Sequence, residues 1–251
     1  MNSRFESKVF IVTGGSSGIG LAVADRLAAE GATVVIGARR TEVGEKAAAD
    51  IRDRGGKAVF VPADVTREDD AARLVGEALD RFGKLDGAFN NAGSIEAPGE
   101  VRTLSSADWA TELTTNLTSV FHCLKHQIPA VTRTRGAIVN NASNMGSVAL
   151  PGMSAYIAAK HGVVGLTKAA ALEVADSGVR INAINTGGVD TPLGRSSAGS
   201  DEVLAQIAAL HPVNRLAKPE EIAPLVALLL SDESSFITGA ALAIDGGFTA
   251  R

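Results

Sequence analysis

The chain has 251 residues, 45% of them apolar but only 4% aromatic, which fits alanine- and aliphatic-rich helices packed on a parallel sheet in one large α/β domain or two small ones. Its 24 Lys and Arg against 28 Asp and Glu leave a formal charge of −4, which argues against nucleic acid as a main partner because phosphate binding needs concentrated positive charge. A single cysteine, Cys123, excludes an internal disulfide and suits a reducing compartment; its apolar surroundings read as a small buried residue.

The first apolar run, Val9–Val12, is short and leads directly into Thr13-Gly14-Gly15, so it reads as a strand and not as the core of a signal peptide. No stretch approaches the roughly 20 apolar residues that a membrane helix needs, and a cytoplasmic location is the expectation. Helical apolar spacing then runs from Leu21 to Leu27 and stops at Gly31, after which Thr33–Ile36 reads as a buried strand. Further strands are expected at Ala58–Val61, Leu85–Phe89, Ala137–Asn140, Val179–Ile184 and Ala240–Ile244, with helices between them. Strands alternating with helices return in parallel through right-handed crossovers. The expectation is a doubly wound α/β fold with a parallel sheet of about seven strands, built as a single domain over 1–251, with ligands beyond the carboxyl ends of the strands. The loosest stretch, Thr191–Asp201, is rich in Gly and Ser; it is expected to open a substrate lid over 191–212.

Between the first strand and first helix lies Gly14-Gly15-Ser16-Ser17-Gly18-Ile19-Gly20. Glycines there permit a tight turn and close approach of a ligand, and a helix N-terminus offers free amides to phosphate. The end of the second strand should face the adenosine ribose. A carboxylate there would bind the 2′-hydroxyl, but the sequence offers Arg39 and Arg40, whose guanidinium groups suit a 2′-phosphate. NADP(H) is therefore favoured, with NAD(H) as the alternative. Asp64-Val65 after the third strand is placed for an adenine contact, and Asn90-Asn91-Ala92-Gly93 after the fourth for a floor on which a nucleotide lies. Ordinary turn chemistry is the competing reading of both.

Ser143 follows the fifth strand, and thirteen residues later comes Tyr156, with Lys160 one helical turn beyond it. Tyrosine is a poor base at neutral pH; lowering its pKa by about three units takes roughly 4 kcal/mol. One ammonium about 4 Å away supplies a similar amount at an effective dielectric near 20. The magnitudes permit Tyr156 to act as an acid and base beside Lys160.

Taken in order, Thr13-Gly14-x-x-x-Gly18-x-Gly20, Asn90-Asn91-Ala92-Gly93, Asn116, Ser143, Tyr156 and Lys160 closely resemble the short-chain dehydrogenase/reductase family, over almost the whole chain from Val9 to Gly247. The resemblance implies a Rossmann fold and an NAD(P)(H)-dependent oxidoreductase interconverting a secondary alcohol and a ketone. It implies that Tyr156 passes the proton, that Ser143 hydrogen-bonds the substrate oxygen, and that Lys160 binds the nicotinamide ribose. Asn116 would hold a water of a proton relay behind Lys160. Gly187, Val189 and Thr191 resemble the loop that contacts the nicotinamide end of the cofactor. One departure stands out: Thr186 occupies a place where the family usually has proline, which leaves the backbone freer. The alternatives are a 3-oxoacyl-thioester reductase, which would use the same residues, and a non-catalytic dinucleotide-binding protein. The resemblance also implies a homo-oligomer, a dimer or tetramer. His122 and His126 share helical spacing, yet no third ligand accompanies them, and no catalytic metal is expected. Met145, Leu150, Met153 and Leu193 are expected to shape a partly apolar substrate pocket.

Overall fold

The computed structural model describes residues 3–250. Its strands are β1 (Val9–Thr13), β2 (Thr33–Ala38), β3 (Lys57–Pro62), β4 (Gly87–Asn90), β5 (Ala137–Asn141), β6 (Arg180–Thr186) and β7 (Ala241–Ile244). They form one sheet, in the order β3-β2-β1-β4-β5-β6-β7, with every neighbouring pair parallel. All seven expected strands are present. The fourth starts at Gly87 instead of Leu85 because the Asp86 carboxylate, and not a strand carbonyl, accepts the Val9 N–H at 2.8 Å.

The helices are α1 (Gly18–Ala29), α2 (Thr41–Asp53), α3 (Glu68–Phe82), α4 (Ser106–Leu113), α5 (Ser119–Thr132), α6 (Ser154–Val174), α7 (Pro192–Ala198), α8 (Asp201–Ala209) and α9 (Pro219–Leu230). Side chains alternate across a strand. Phe10, Val12, Val34 and Ile36 therefore pack with Val23 of α1 and Val226 of α9 on one face. Val9, Ile11 and Val35 pack with Leu74 of α3, Leu124 of α5 and Val163 of α6 on the other. With both faces covered, β1 and β2 are mainly apolar along their length, whereas β4, β5 and β6 carry the buried asparagines Asn90, Asn140, Asn182 and Asn185. Among the described residues no helix is long and apolar enough to cross a membrane.

Three features position the site. The chain steps outward from β1 to β3 and returns beyond β1 with β4, so a crevice opens at the carboxyl ends of those two strands. Between α4 and α5 the helix continues through a π-helical turn, Thr114–Thr118, which carries Asn116; such turns are rare and concentrate at functional sites. Finally, the segment expected to be loose is helical. Thr191 caps α7 by accepting the Gly194 N–H at 3.0 Å, with Pro192 preset for the first turn, and Ser200 caps α8 by accepting from Val203 at 3.3 Å.

Candidate active site

The turn after β1 needs its glycines. Gly14 and Gly18 have φ of +64° and +55°, a region that favours glycine. A Cβ on Gly20 would lie 2.4 Å from the Gly14 carbonyl oxygen. Gly20 thus keeps the turn closed from beneath, while Gly14, Ser16, Ser17, Gly18 and Ile19 line a cleft of about 640 Å³. Ser17 precedes α1 without a side-chain cap, so the first-turn amides face the cleft with no internal side-chain acceptor. At the end of β2, Arg39 and Arg40 line the cleft and are exposed, and their side chains have no hydrogen-bond or ion-pair partner among the described residues. Unpaired amides beside two unpaired guanidinium groups fit a pyrophosphate and a further phosphate. Asp64 and Val65 also line the cleft, with Asp64 Oδ1 held by the Thr66 N–H and hydroxyl at 3.1 and 2.7 Å.

The asparagines after β4 divide by strand parity. Asn90 is not brought to the cleft. Its amide lies under the floor, donating to Gln127 and to Asn140 at 2.9 and 3.0 Å and accepting from Gln127 at 2.8 Å. The next residue points the other way and joins a polar ladder across the strand ends. Thr13 Oγ1 accepts the amides of Asn91 and Ala92, Asn91 Oδ1 accepts from Asn141 Nδ2 at 2.9 Å, and Asn141 Oδ1 accepts from the Thr186 hydroxyl at 3.3 Å. Ala92 and Gly93 line the cleft above it.

At the centre of the cleft α6 brings Tyr156 and Lys160 together with Ser143, which follows β5. The Lys160 Nζ donates to the Asn141 carbonyl at 3.0 Å and lies 5.5 Å from the centroid of the Tyr156 ring. Ser143 Oγ accepts the Met145 N–H at 3.2 Å. The electrostatic expectation for the tyrosine is reversed in sign. Burial pushes the Tyr156 phenol up to about 12; the hydrogen bond with Ser143 opposes this and the Glu112 carboxylate adds to it. Burial likewise pulls the Lys160 ammonium down to about 8, against an upward push from Glu112. For each group the cost of leaving water outweighs what opposes it, the Ser143 hydrogen bond at the phenol and the Glu112 charge at the ammonium.

Asn116 is fully buried in the π-helical turn, though its oxygen edges into the cleft wall. Its Oδ1 accepts the Ser94 N–H at 3.2 Å, and a Cβ on Gly93 would lie 2.8 Å from that oxygen and 3.6 Å from Lys160 Nζ. Only glycine at 93 leaves this space open between the asparagine, the lysine and the cleft.

Two residues at the site escaped sequence reasoning. Glu112 is fully buried and bonds the Asn116 amide at 2.9 Å; the spacing of four within one helix was the available signal. His211 is also buried. Its Nε2 accepts the Gly188 N–H at 2.9 Å while Nδ1 lies 2.8 Å from the Ile207 carbonyl, which fixes the tautomer with the proton on Nδ1. This contact ties down the Gly187-Gly188 loop that Thr186 was expected to leave freer. Ala217 holds it from the other side, donating to the Gly188 carbonyl at 3.0 Å and accepting from Asp190 at 2.8 Å. Gly187, Val189 and Thr191 line the cleft in this fixed loop.

The opposite end of the cleft is apolar and includes Met145, Leu150, Met153 and Leu193. Among the described residues no group of three His, Cys, Asp or Glu is arranged to hold a metal. His122 Nδ1 meets the Val65 carbonyl and His126 Nε2 meets Glu68. Burial pushes the Cys123 thiol up to about 12, as befits an inert packing residue.

A family model described as enoyl-(acyl carrier protein) reductase matches residues 14–249. Cyclohexanol dehydrogenase of Acinetobacter sp. (strain SE19) is 42% identical, covering 100% of this chain and 98% of the relative. Cis-4-hydroxycyclohexanecarboxylate dehydrogenase of Sinomonas cyclohexanicum is 43% identical, covering 100% of both. A crystal structure of levodione reductase superposes with a TM-score of 0.95 at 34% identity, over 98% of this chain and 99% of that one.

Proposed function

This chain belongs to the short-chain dehydrogenase/reductase family, an NAD(P)(H)-dependent oxidoreductase of alcohols and ketones, and we propose that it interconverts a neutral alicyclic secondary alcohol and its ketone with NADP(H). The observation that carries this reading is the meeting of Ser143, Tyr156 and Lys160 at one end of an apolar pocket. The carbonyl oxygen has polar partners there, and the rest of the substrate has Ile95, Met145, Leu150, Met153, Leu193 and Ile207. The basic side chains lining the cleft, among the described residues, are Arg39 and Arg40 at its nucleotide end, Lys160 at its centre and His211 bonded to backbone. No cation is left at the substrate end for the phosphates of an acyl thioester carrier. The relative named for cyclohexanol supports the same substrate class, and the one named for a hydroxycyclohexanecarboxylate supports its alicyclic ring.

In reduction, Tyr156 gives its proton to the carbonyl oxygen. A phenol pushed up to about 12 is fully protonated at neutral pH, as a proton donor requires. Ser143 turns its hydroxyl to the same oxygen and stabilises the developing charge. Lys160 supplies positive charge beside the phenol and a donor for the nicotinamide ribose, and Asn116 holds a water behind Lys160 through which the proton is replaced. A bound NADP(H) would supply the hydride chemistry at the carbon bearing that oxygen. Gly14, Ser16, Ser17, Gly18 and Ile19 would hold its pyrophosphate, Arg39 and Arg40 its 2′-phosphate, and Asp64 and Val65 its adenine. Ala92 and Gly93 would form its floor, and Gly187, Val189 and Thr191 would hold the nicotinamide end. The segment 191–212, with α7 and α8, forms a substrate lid through Leu193 and Ile207. Exposed Leu172 and Phe236 support a homo-oligomer, dimer or tetramer.

A panel of alicyclic and open-chain secondary alcohols and ketones, assayed with both cofactors by nicotinamide absorbance, tests the reading. The expected result is NADP-linked turnover of the alicyclic members. NADPH binding without turnover of any member would instead mark a dinucleotide-binding protein.

A further inference from the structure

Glu112 sits in the last turn of α4 with its side chain fully buried, and its carboxylate is shared between two partners that belong to different parts of the cleft. Oε1 accepts from the Asn116 side-chain amide at 2.9 Å. Oε2 accepts the backbone amides of Glu96 and Ala97 at 2.9 and 3.0 Å. Those two amides lie between Ile95 and Pro98, which both line the cleft. The Asn116 amide, turned by Glu112, presents Oδ1 to the Ser94 N–H. A buried carboxylate is costly unless its oxygens are satisfied; here three N–H donors satisfy it, so burying it brings the loop and the asparagine into one arrangement.

We infer that Glu112 is a positioning residue, which fixes both the Asn116 amide behind Lys160 and the 94–98 wall beside the substrate, so that one buried carboxylate sets the proton-relay end and the substrate end of the cleft together. The inference deepens the alcohol and ketone reading above and rests on it for its kinetic consequence, though not for its structural one. The same carboxylate acts through space on the two central groups, and its negative charge favours the protonated form of both Tyr156 and Lys160. The charged or titratable groups facing Lys160 Nζ are Tyr156 from its own helix and Glu112 from α4; from β5 it meets only the Asn141 carbonyl.

Two substitutions in the full chain separate these effects. Glu112→Gln keeps the size, removes the charge and turns one of the two acceptor oxygens into an N–H donor, and Glu112→Leu fills the space without acceptors. Hydrogen exchange read by mass spectrometry should speed up at least tenfold at the amides of residues 94–98 in Glu112→Leu, with residues 9–13 unchanged. In Glu112→Gln, kcat for cyclohexanol with NADP should fall at least tenfold while the NADPH dissociation constant stays within threefold. The rising limb of its kcat/KM profile should move to lower pH by at least half a unit, because a charge that favoured the protonated forms is gone. A purely structural role would not move that limb. Unchanged exchange at 94–98, or a wild-type kcat and an unmoved limb in the glutamine variant, overturns the inference. Faster exchange in a protein whose wild type turns over no alcohol or ketone would uphold the positioning role and sink the enzymatic reading instead.

Discussion

Lys160 gives its hydrogen bond to the Asn141 carbonyl at 3.0 Å and reaches Tyr156 only through space, with Nζ 5.5 Å from the ring centroid. The division of labour follows from burial. A phenol near 12 and an ammonium near 8 make a firmly protonated acid beside a cation held against its own solvation. Removing each member of the pair should therefore have a different signature.

Tyr156→Phe removes the proton donor and little else. General acid catalysis contributes about 10²–10⁴-fold, so kcat for ketone reduction should fall by at least a hundredfold. NADPH affinity, measured by fluorescence quenching, should stay within a few-fold of wild type. Substantial remaining turnover would remove Tyr156 from the proposed mechanism.

Lys160→Met should lose activity and gain stability. The folded state lowers this ammonium from 10.5 to about 8, so below pH 8 it carries the whole cost of burying a charge, roughly 3 kcal/mol at 1.36 per unit. The lost hydrogen bond to Asn141 offsets about 1 kcal/mol. Between pH 8 and 10.5 the unfolded chain binds more protons at this site than the folded one, so wild-type stability rises relative to the variant across that window. Urea unfolding of both proteins at pH 7 and pH 10 checks the sign. A stability gap that is constant or widens with pH contradicts the assigned cost.

Arg39→Ala tests the cofactor reading. The side chain is exposed and unpartnered among the described residues, so its removal should cost the fold little. A charge-assisted contact to phosphate is worth about 1.5–3 kcal/mol. The KM for NADPH should rise tenfold or more while that for NADH barely changes. Equal effects on both cofactors would mean that Arg39 does not read the 2′-phosphate.

The sheet was legible in the sequence because both of its faces are covered, which makes its first strands nearly continuous apolar runs such as Val9–Val12. Tyr156 and Lys160 were legible because helical spacing puts them on one face. Asn90 and Asn91 were harder: composition places both in a turn, but β4 pairs Asn90 with Asn140 in register, which sends those side chains beneath the floor. Thr191-Pro192 and Ser200-Asp201 are ordinary helix starts whose signal was masked by the surrounding Gly and Ser. Glu112 gave no sign of burial, since a glutamate among threonines in a helix reads as solvated. Its partners at Glu96 and Ala97 are backbone amides, which no side-chain pattern encodes.

The loop after β6 offers a last test, because the rigidity that proline would have supplied comes from His211. The Gly188 N–H has the imidazole Nε2 as acceptor at 2.9 Å, and a Cβ on Gly187 would lie 2.7 Å from the same nitrogen. His211→Phe keeps a buried ring but leaves a backbone donor without its partner, a cost of about 1–3 kcal/mol. NADPH affinity should drop by roughly tenfold on that scale, because Gly187 and Val189 line the cleft, and the thermal midpoint should fall with it. His211→Gln retains an acceptor on a side chain of similar reach and should recover most of both losses. If phenylalanine and glutamine behave alike, the ring's packing against Phe248, at 5.2 Å between centroids, matters and the hydrogen bond does not.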